Sequence, residues 1–411
     1  MFEALINSFR IPDLRKKMLF TLGFLGIYRI GTYIPTPGID GQALSQFFKN
    51  LSQGPLGALF GLMNMFSGGA MDNCTIFALG VMPYISASII MQLLVAVVPY
   101  LEKLAKEGDM GRKKINQYTR YGTIVLCLIQ SLMISAWLQD PKNFQGVQIV
   151  RFPGLGFSLL TMITLTTGTS FIMWLGEQIT AHGIGNGMSL IITAGIISRM
   201  PTAGLYLFEL LSGRQLQPYV LLIMAVMFVA VVVAVILITQ GQRKIPVQYA
   251  KRIIGRKVYG GQSTYIPLRV NMSGVIPIIF AQSIFLFIGT LSNFSPIPAL
   301  KTFALWLTRG QVLYTLAYTV LILVFTYFYT AIIFNPVDVA ENMKKYGGFI
   351  PGIRPGKPTS EYFDFILSRI TLPGAIFLAV IAVLPDLIGK SLKIPYLIAS
   401  FFGGTALLII V

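Results

Sequence analysis

The stretch PYVLLIMAVMFVAVVVAVILIT, residues 218–239, contains 22 consecutive residues without a charged side chain. An α-helix rises about 1.5 Å per residue, so a run of this length can cross about 30 Å of hydrocarbon. Nine other charge-poor runs have comparable composition: 18–34, 75–100, 121–138, 158–175, 188–207, 273–291, 311–334, 370–384 and 394–411. The sequence therefore predicts an all-α integral membrane protein with ten transmembrane helices.

The overall composition agrees with this prediction. Hydrophobic residues make up 55% of the 411 residues and charged residues only 11%. A soluble domain cannot bury so much apolar surface in one core, so lipid must be the main solvent. The formal net charge of +17 would favour nucleic-acid binding in a soluble protein. In a membrane protein, the first question is on which side of the bilayer the charge lies.

The distribution of lysine and arginine predicts the orientation. If the N-terminus is inside, 22 of the 32 Lys and Arg residues fall in inner segments, nine fall in outer segments, and Arg29 lies within the first run. Cytoplasmic loops carry an excess of these residues. We therefore expect a multi-pass protein with a cytoplasmic N-terminus and a first apolar run that is retained as a span.

Two inner segments, 240–270 and 335–370, are long as well as basic. Long ordered loops are usually functional, although both could simply anchor the topology. The second segment contains PGIRPG at 351–356, a rigid turn that presents Arg354. Six of the seven basic residues of the first lie close together, namely Arg243, Lys244, Lys251, Arg252, Arg256 and Lys257. The pattern favours docking surfaces.

The segment LGALFGLMNMFSGGAM, residues 56–71, is apolar, rich in glycine and short for a span. Such a segment is typical of a re-entrant or internally buried element. A surface amphipathic helix is the alternative.

Chemically reactive groups are sparse. All fifteen acidic residues fall in loops or at the ends of runs, whereas an ion-coupled transporter usually keeps a carboxylate at mid-membrane. His182 is the single histidine, and Cys74 and Cys127 lie far apart in apolar runs, so neither a zinc pair nor a redox pair is expected. No phosphate-binding glycine loop occurs. We expect no cofactor and no enzymatic activity, with energy supplied by a partner. A small-solute transporter and an intramembrane hydrolase are the competing classes.

Several motifs, in order along the whole chain, resemble the SecY family, the channel-forming subunits of the bacterial Sec protein translocase (SecY/Sec61-alpha). Each motif alone is weak evidence, but their ordered combination is specific. They are FSGGA (66–70), PYISASII (83–90), Glu107-Gly108 with GRKK (111–114), WLGEQIT (174–180), GIGNG (183–187), YAKR (249–252), PLRVNM (267–272), FNP (334–336), PGIRPG (351–356) and FGGT (402–405).

The resemblance implies two pseudo-symmetric halves, residues 1–205 and 206–411, around an hourglass pore with a lateral opening to lipid. It implies that residues 56–72 form a short re-entrant plug helix, with the plug residues Leu62, Met63, Phe66, Ser67, Gly68 and Gly69. It also implies a pore ring of aliphatic side chains, namely Val81, Ile85, Ile89, Ile192, Ile279 and Ile409.

The same resemblance implies a lateral gate between the second, third, seventh and eighth spans, with Ser86, Gln92, Gln130 and Asn271 as its polar residues. The implied function is to move unfolded, signal-bearing polypeptides across the bacterial plasma membrane and to release hydrophobic segments into lipid. The implied partners are SecE and SecG, the SecA ATPase, the ribosome, signal sequences and unfolded precursors, a membrane insertase and the lipid bilayer. Arg243, Lys244, Lys251, Arg252, Arg256, Lys257 and Arg354 would dock the motor or the ribosome. Because the family continues beyond the tenth span, we expect Val411 to be a truncated end.

Overall fold

The computed structural model describes residues 10–51, 64, 66–144, 148–213, 217–249, 252–254, 257–259, 263–294, 312–392, 398, 399, 406 and 408. The helices are α1 (Pro12–Gly31), α2 (Gly41–Leu51), α3 (Met82–Val97), α4 (Pro99–Lys106), α5 (Asp109–Gln139), α6 (Leu155–His182), α7 (Gly187–Ser212), α8 (Pro218–Gln240), α9 (Ile276–Phe294), α10 (Val312–Ile333), α11 (Pro336–Lys345) and α12 (Lys357–Leu392). A short 3-10 helix spans Pro141–Phe144. The strands are β1 (Gln242–Tyr249), β2 (Arg252–Ile254), β3 (Lys257–Tyr259), β4 (Ser263–Arg269) and β5 (Gly348–Phe349).

The long apolar helices follow the charge-poor runs of the sequence. Nine of the ten predicted runs fall on a helix, and the tenth, 394–411, lies almost wholly outside the described residues. Within the described part of the chain, six helices are long and apolar enough to cross a membrane, or seven if a bent pair counts as one span. The all-helical membrane fold is confirmed, and the count of ten spans stays a prediction.

The second predicted run, 75–100, is helical over a shorter stretch than expected. Residues 67–81 form turns, and α3 begins only at Met82, with Pro83 in its first turn. The helix axis then bends by 98° between α3 and α4. Val98 has φ −95° and ψ 113°, an extended conformation. The ring of the following Pro99 explains this break, because proline disfavours helical geometry in the preceding residue.

Two apolar clusters form the interior of the helical region. One is built from residues between Tyr28 and Ala203, joined by Ala406. The other is built from residues between Val231 and Leu408, joined by Ile89. Ile85 packs against both clusters, so α3 lies at their junction. Helix α9 also packs against α3 and α5, which brings the two parts together along these three helices.

The described parts of the two long basic segments, 240–270 and 335–370, form one unit. Strands β4, β1 and β5 make an antiparallel sheet in that order, and β2 pairs with β3 in a separate hairpin. Segment 335–370 is not an irregular loop, because it contains α11, β5 and the first turns of α12. Ile245, Val247, Leu268, Met343, Ile350, Phe363, Ile366 and Leu367 form the buried core of this unit.

Candidate functional site

The first part of the site is the glycine segment, defined as residues 64 and 66–72. Phe66 and Ser67 are each 1% exposed, and Ala70 is completely buried. The described part of this segment is therefore mostly buried inside the protein, with Gly69 and Asp72 partly exposed. Leu62 and Met63, the other two residues expected here, lie outside the described residues.

Close backbone packing fixes the position of the glycine segment. Gly68 has φ +66°, and a Cβ atom there would lie 2.9 Å from the Tyr28 hydroxyl oxygen and 3.1 Å from Gly195 Cα. Gly80 has φ +58°, and its Cβ would lie 3.1 Å from Ser67 Cα. Both positions require glycine for two reasons, since left-handed backbone disfavours a side chain and no space is available for one.

Two arginines reach the glycine segment from different helices. Arg29 of α1 donates from Nη1 to the Gly68 carbonyl at 2.8 Å. Arg199 of α7 forms an ion pair with Asp72, with 3.3 Å between Nη2 and Oδ2. Asn64 Nδ2 also donates to Asp72 Oδ1. The sequence showed Arg29 and Arg199 as charges in or beside apolar runs, which is itself a signal, because such charges need a partner. Sequence reasoning did not identify the partners.

Two of the residues expected to form the pore ring, Val81 and Ile192, share an apolar cluster with Phe66, Ala70 and Met71 of this segment. Val81, Ile89 and Ile192 are buried, at 1%, 4% and 5% exposed, while Ile85 and Ile279 are half-buried. Val81 and Ile192 belong to the first apolar cluster and Ile89 to the second. Residues four apart on a helix share a face, so Ile85 and Ile89 line one side of α3, next to its N-cap residue Val81.

Ile279 lies on α9, which packs against α3. Ile409, the sixth residue expected in the ring, lies outside the described residues. The structure thus describes five of the six expected ring residues, on α7, on α9 and on α3 with its N-cap, and the ring itself stays a prediction.

The four expected gate residues are half-buried around the contact of α9 with α3 and α5. Gln92 Nε2 donates to Ser88 Oγ at 3.3 Å, within α3. Asn271 Nδ2 donates to the Gly274 carbonyl at 3.2 Å, and Ser273 Oγ donates to Asn271 Oδ1 at 3.2 Å. These hydrogen bonds are local and do not cross between helices. The other two expected residues are Ser86 on α3 and Gln130 on α5.

Sequence reasoning missed one buried polar side chain on α9. Gln282 is 2% exposed, and among the described residues neither atom of its side-chain amide has a hydrogen-bond partner. An unpaired buried amide is costly, about 1–3 kcal/mol, which marks this position as unusual. Its signal in the sequence is a single glutamine in the apolar run 276–291.

The expected docking residues lie on the sheet unit outside the helical bundle. Arg243 and Lys244 are exposed on β1, and the Lys244 ammonium lies 4.7 Å from the centre of the Tyr265 ring. Arg354 is exposed in the turn after β5. The backbones of Arg252 and Lys257 lie in the β2–β3 hairpin. The remaining two, Lys251 and Arg256, lie outside the described residues. Because β5 pairs with β1, the two basic segments that the sequence presents separately form one surface.

Helix α4 also carries an exposed ion pair. Lys106 of α4 donates to Glu102 Oε1 at 2.7 Å. This hydrogen bond raises the pKa of Lys106, and Asp338 of α11 adds a smaller effect in the same direction.

The six or seven described helices that are long and apolar enough to cross a membrane define a polytopic α-helical membrane protein. The SecY family model matches residues 75–411. The chain is 47% identical over 405 residues to "Protein translocase subunit SecY" of Escherichia coli K12, covering 98% of this chain and 89% of that protein. It is 45% identical over 412 aligned positions to the protein of that name from Aquifex aeolicus, covering 100% and 94%. The chain belongs to the SecY family.

Solved structures show the same fold. "The structure of a protein conducting channel" matches with a TM-score of 0.61 at 19% identity, covering 96% of this chain and 90% of that one. A structure described as "The plug domain of the SecY protein stabilizes the closed state of the translocation channel and maintains a membrane seal" gives a TM-score of 0.64 at 18% identity, covering 96% and 89%.

A third match is Sec61 in the canine ribosome–channel complex from the endoplasmic reticulum, with a TM-score of 0.58 at 18% identity, covering 94% and 90%. The chain is thus a protein-conducting channel subunit and not an enzyme.

Proposed function

We propose that this chain forms the pore through which unfolded, signal-bearing polypeptides cross a bacterial plasma membrane, with its N-terminus in the cytoplasm. The observation that carries the proposal is the burial of the glycine segment in one apolar cluster with Val81 and Ile192, two residues of the proposed apolar collar. A narrow apolar constriction loses water and blocks ions. Aliphatic side chains also pack around a passing peptide without selecting its sequence, as a general channel requires.

The glycine segment acts as the plug of the idle pore. It is short for a span, and its described part is buried against α1 and α7. The ring comprises the five described aliphatic residues together with Ile409. The two halves, residues 1–205 and 206–411, meet along this pore, in keeping with the two apolar clusters.

The contact of α9 with α3 and α5 forms the lateral gate. The hydrogen bonds of Gln92 and Asn271 are local, so apolar packing closes this seam. A signal sequence, itself an apolar helix, can replace such contacts at low cost because they are non-directional. Hydrophobic segments then pass between these helices into lipid.

The basic sheet unit recruits the source of energy. Its exposed Arg243, Lys244 and Arg354 suit both the carboxylates of the SecA motor and the phosphates of ribosomal RNA. A ribosome-bound channel among the structural matches supports the second partner. SecE, SecG and a membrane insertase complete the assembly in the bilayer, and no cofactor is required.

Reconstitution tests the proposal. Vesicles that contain this chain with SecE, supplied with SecA and ATP, should import a signal-bearing precursor to a protease-protected position. The same vesicles should not accumulate small solutes down an ion gradient. Solute accumulation without precursor import would instead support the transporter class.

A further inference from the structure

The glycine segment is held by charged side chains from two helices that are distant in sequence. We propose that Arg29 and Arg199 form a latch that fixes this segment in the closed position and must release it before the pore opens. This inference rests on the proposed role of the segment as a plug. It assigns to two arginines a positioning role that the sequence motifs do not contain.

Arg29 supplies the first arm of the latch. Its Nη1 donates to the Gly68 carbonyl at 2.8 Å, and its Nη2 donates to the Tyr33 hydroxyl at 2.6 Å. The guanidinium carbon also lies 4.7 Å from the centre of the Tyr33 ring. The aromatic side chain thus orients the guanidinium toward the backbone of the segment. Charge-assisted hydrogen bonds of this kind are about twice as strong as neutral ones.

Arg199 supplies the second arm. Its side chain is 13% exposed and pairs with Asp72, which is 37% exposed. Asp72 in turn accepts a hydrogen bond from Asn64, and the Asn64 carbonyl accepts from the Gly69 N–H at 2.9 Å. The pair with Arg199 therefore holds both ends of a compact turn.

The close packing at Gly68 places the segment, and the arginine contacts add directional bonds to that packing and to the buried apolar side chains. Phe66, Ala70 and Met71 are buried, but burial of apolar surface is non-directional. The two arginine contacts are directional and come from α1 and α7, which pack against each other. Opening the pore would then require both contacts to break, while the apolar part of the segment could find new neighbours.

The test uses the complete channel complex, purified from membranes and reconstituted in planar bilayers. Arg199→Gln and Asp72→Asn should each raise the open-to-closed ratio of the idle channel, measured as ion conductance, by about tenfold, or about 1.4 kcal/mol. The double variant should exceed neither single variant, since both remove the same contact. Arg199→Lys keeps the positive charge, so its idle-channel conductance should lie close to that of the unchanged channel. Arg120→Gln is the matched control, because Arg120 forms an exposed ion pair with Glu177 at 2.7 Å and does not contact the segment.

Native Cys74 gives a second readout that separates opening from misfolding. It is 1% exposed and lies two residues after the end of the segment. In a Cys127→Ala background, Arg199→Gln should speed maleimide labelling of Cys74 about tenfold, with unchanged yield of protein in membranes. Unchanged conductance and labelling in Arg199→Gln would overturn the latch. If deletion of residues 56–66 also failed to raise conductance, the plug role itself would be wrong. If the deletion raised conductance but Arg199→Gln did not, only the latch would be rejected.

Discussion

Replacing Gly68 by alanine tests the packing of the glycine segment directly. The added methyl group would meet the Tyr28 hydroxyl oxygen at 2.9 Å and Gly195 Cα at 3.1 Å, in a backbone with φ +66°. Left-handed backbone costs a residue with a side chain about 1–2 kcal/mol, and overpacking typically adds about 1–3 kcal/mol. The closed position of the segment should therefore be destabilised by at least about 2 kcal/mol relative to the open one. The open fraction of the idle channel should then rise about 30-fold.

The control for this variant is Gly108→Ala. Gly108 has φ +77°, but a Cβ there meets no atom within 4 Å. It shares the backbone strain and lacks both the collision and the contact with the segment. Ion conductance of reconstituted idle channels is the assay. Equal conductance in the two alanine variants would refute the reasoning, because it would show that Gly68 is not held against Tyr28 and Gly195 in the closed channel.

Three further changes test other parts of the molecule. Arg354→Glu should impair SecA-driven import of a precursor while membranes retain normal amounts of the folded protein, because this side chain is exposed on a turn; loss of the protein from membranes would contradict that expectation. Deletion of residues 56–71 should raise ion leak through idle channels, and unchanged conductance would count against the plug. Leu268→Ala should destabilise the sheet unit by about 2–5 kcal/mol, because Leu268 is fully buried there. Limited proteolysis should then cleave the unit faster than in Gln248→Ala, an exposed position on β1, and equal rates would argue against a cooperative sheet.

The site was partly visible in the sequence. Val81, Ile85 and Ile89 were identified by the resemblance, and the structure places them on or beside one face of α3. The partners of Arg29 and Arg199 were not, because Gly68 and Asp72 lie in a separate segment and no local pattern links them. That the buried amide of Gln282 has no hydrogen-bond partner among the described residues likewise becomes visible only when its neighbours are known.

The sequence by itself determined the apolar helices, and it predicts their orientation. Each charge-poor run is a local property, and the cost of placing a charge in hydrocarbon is large enough to locate spans without any knowledge of contacts. The excess of Lys and Arg in the segments predicted to be cytoplasmic is likewise found by counting residues. Only the tertiary structure decided that α3 begins at Met82, after a turn buried by long-range contacts, and that β5 joins β1 into one sheet. Such pairings depend on which distant segments meet, and that information lies in the packing of the whole chain.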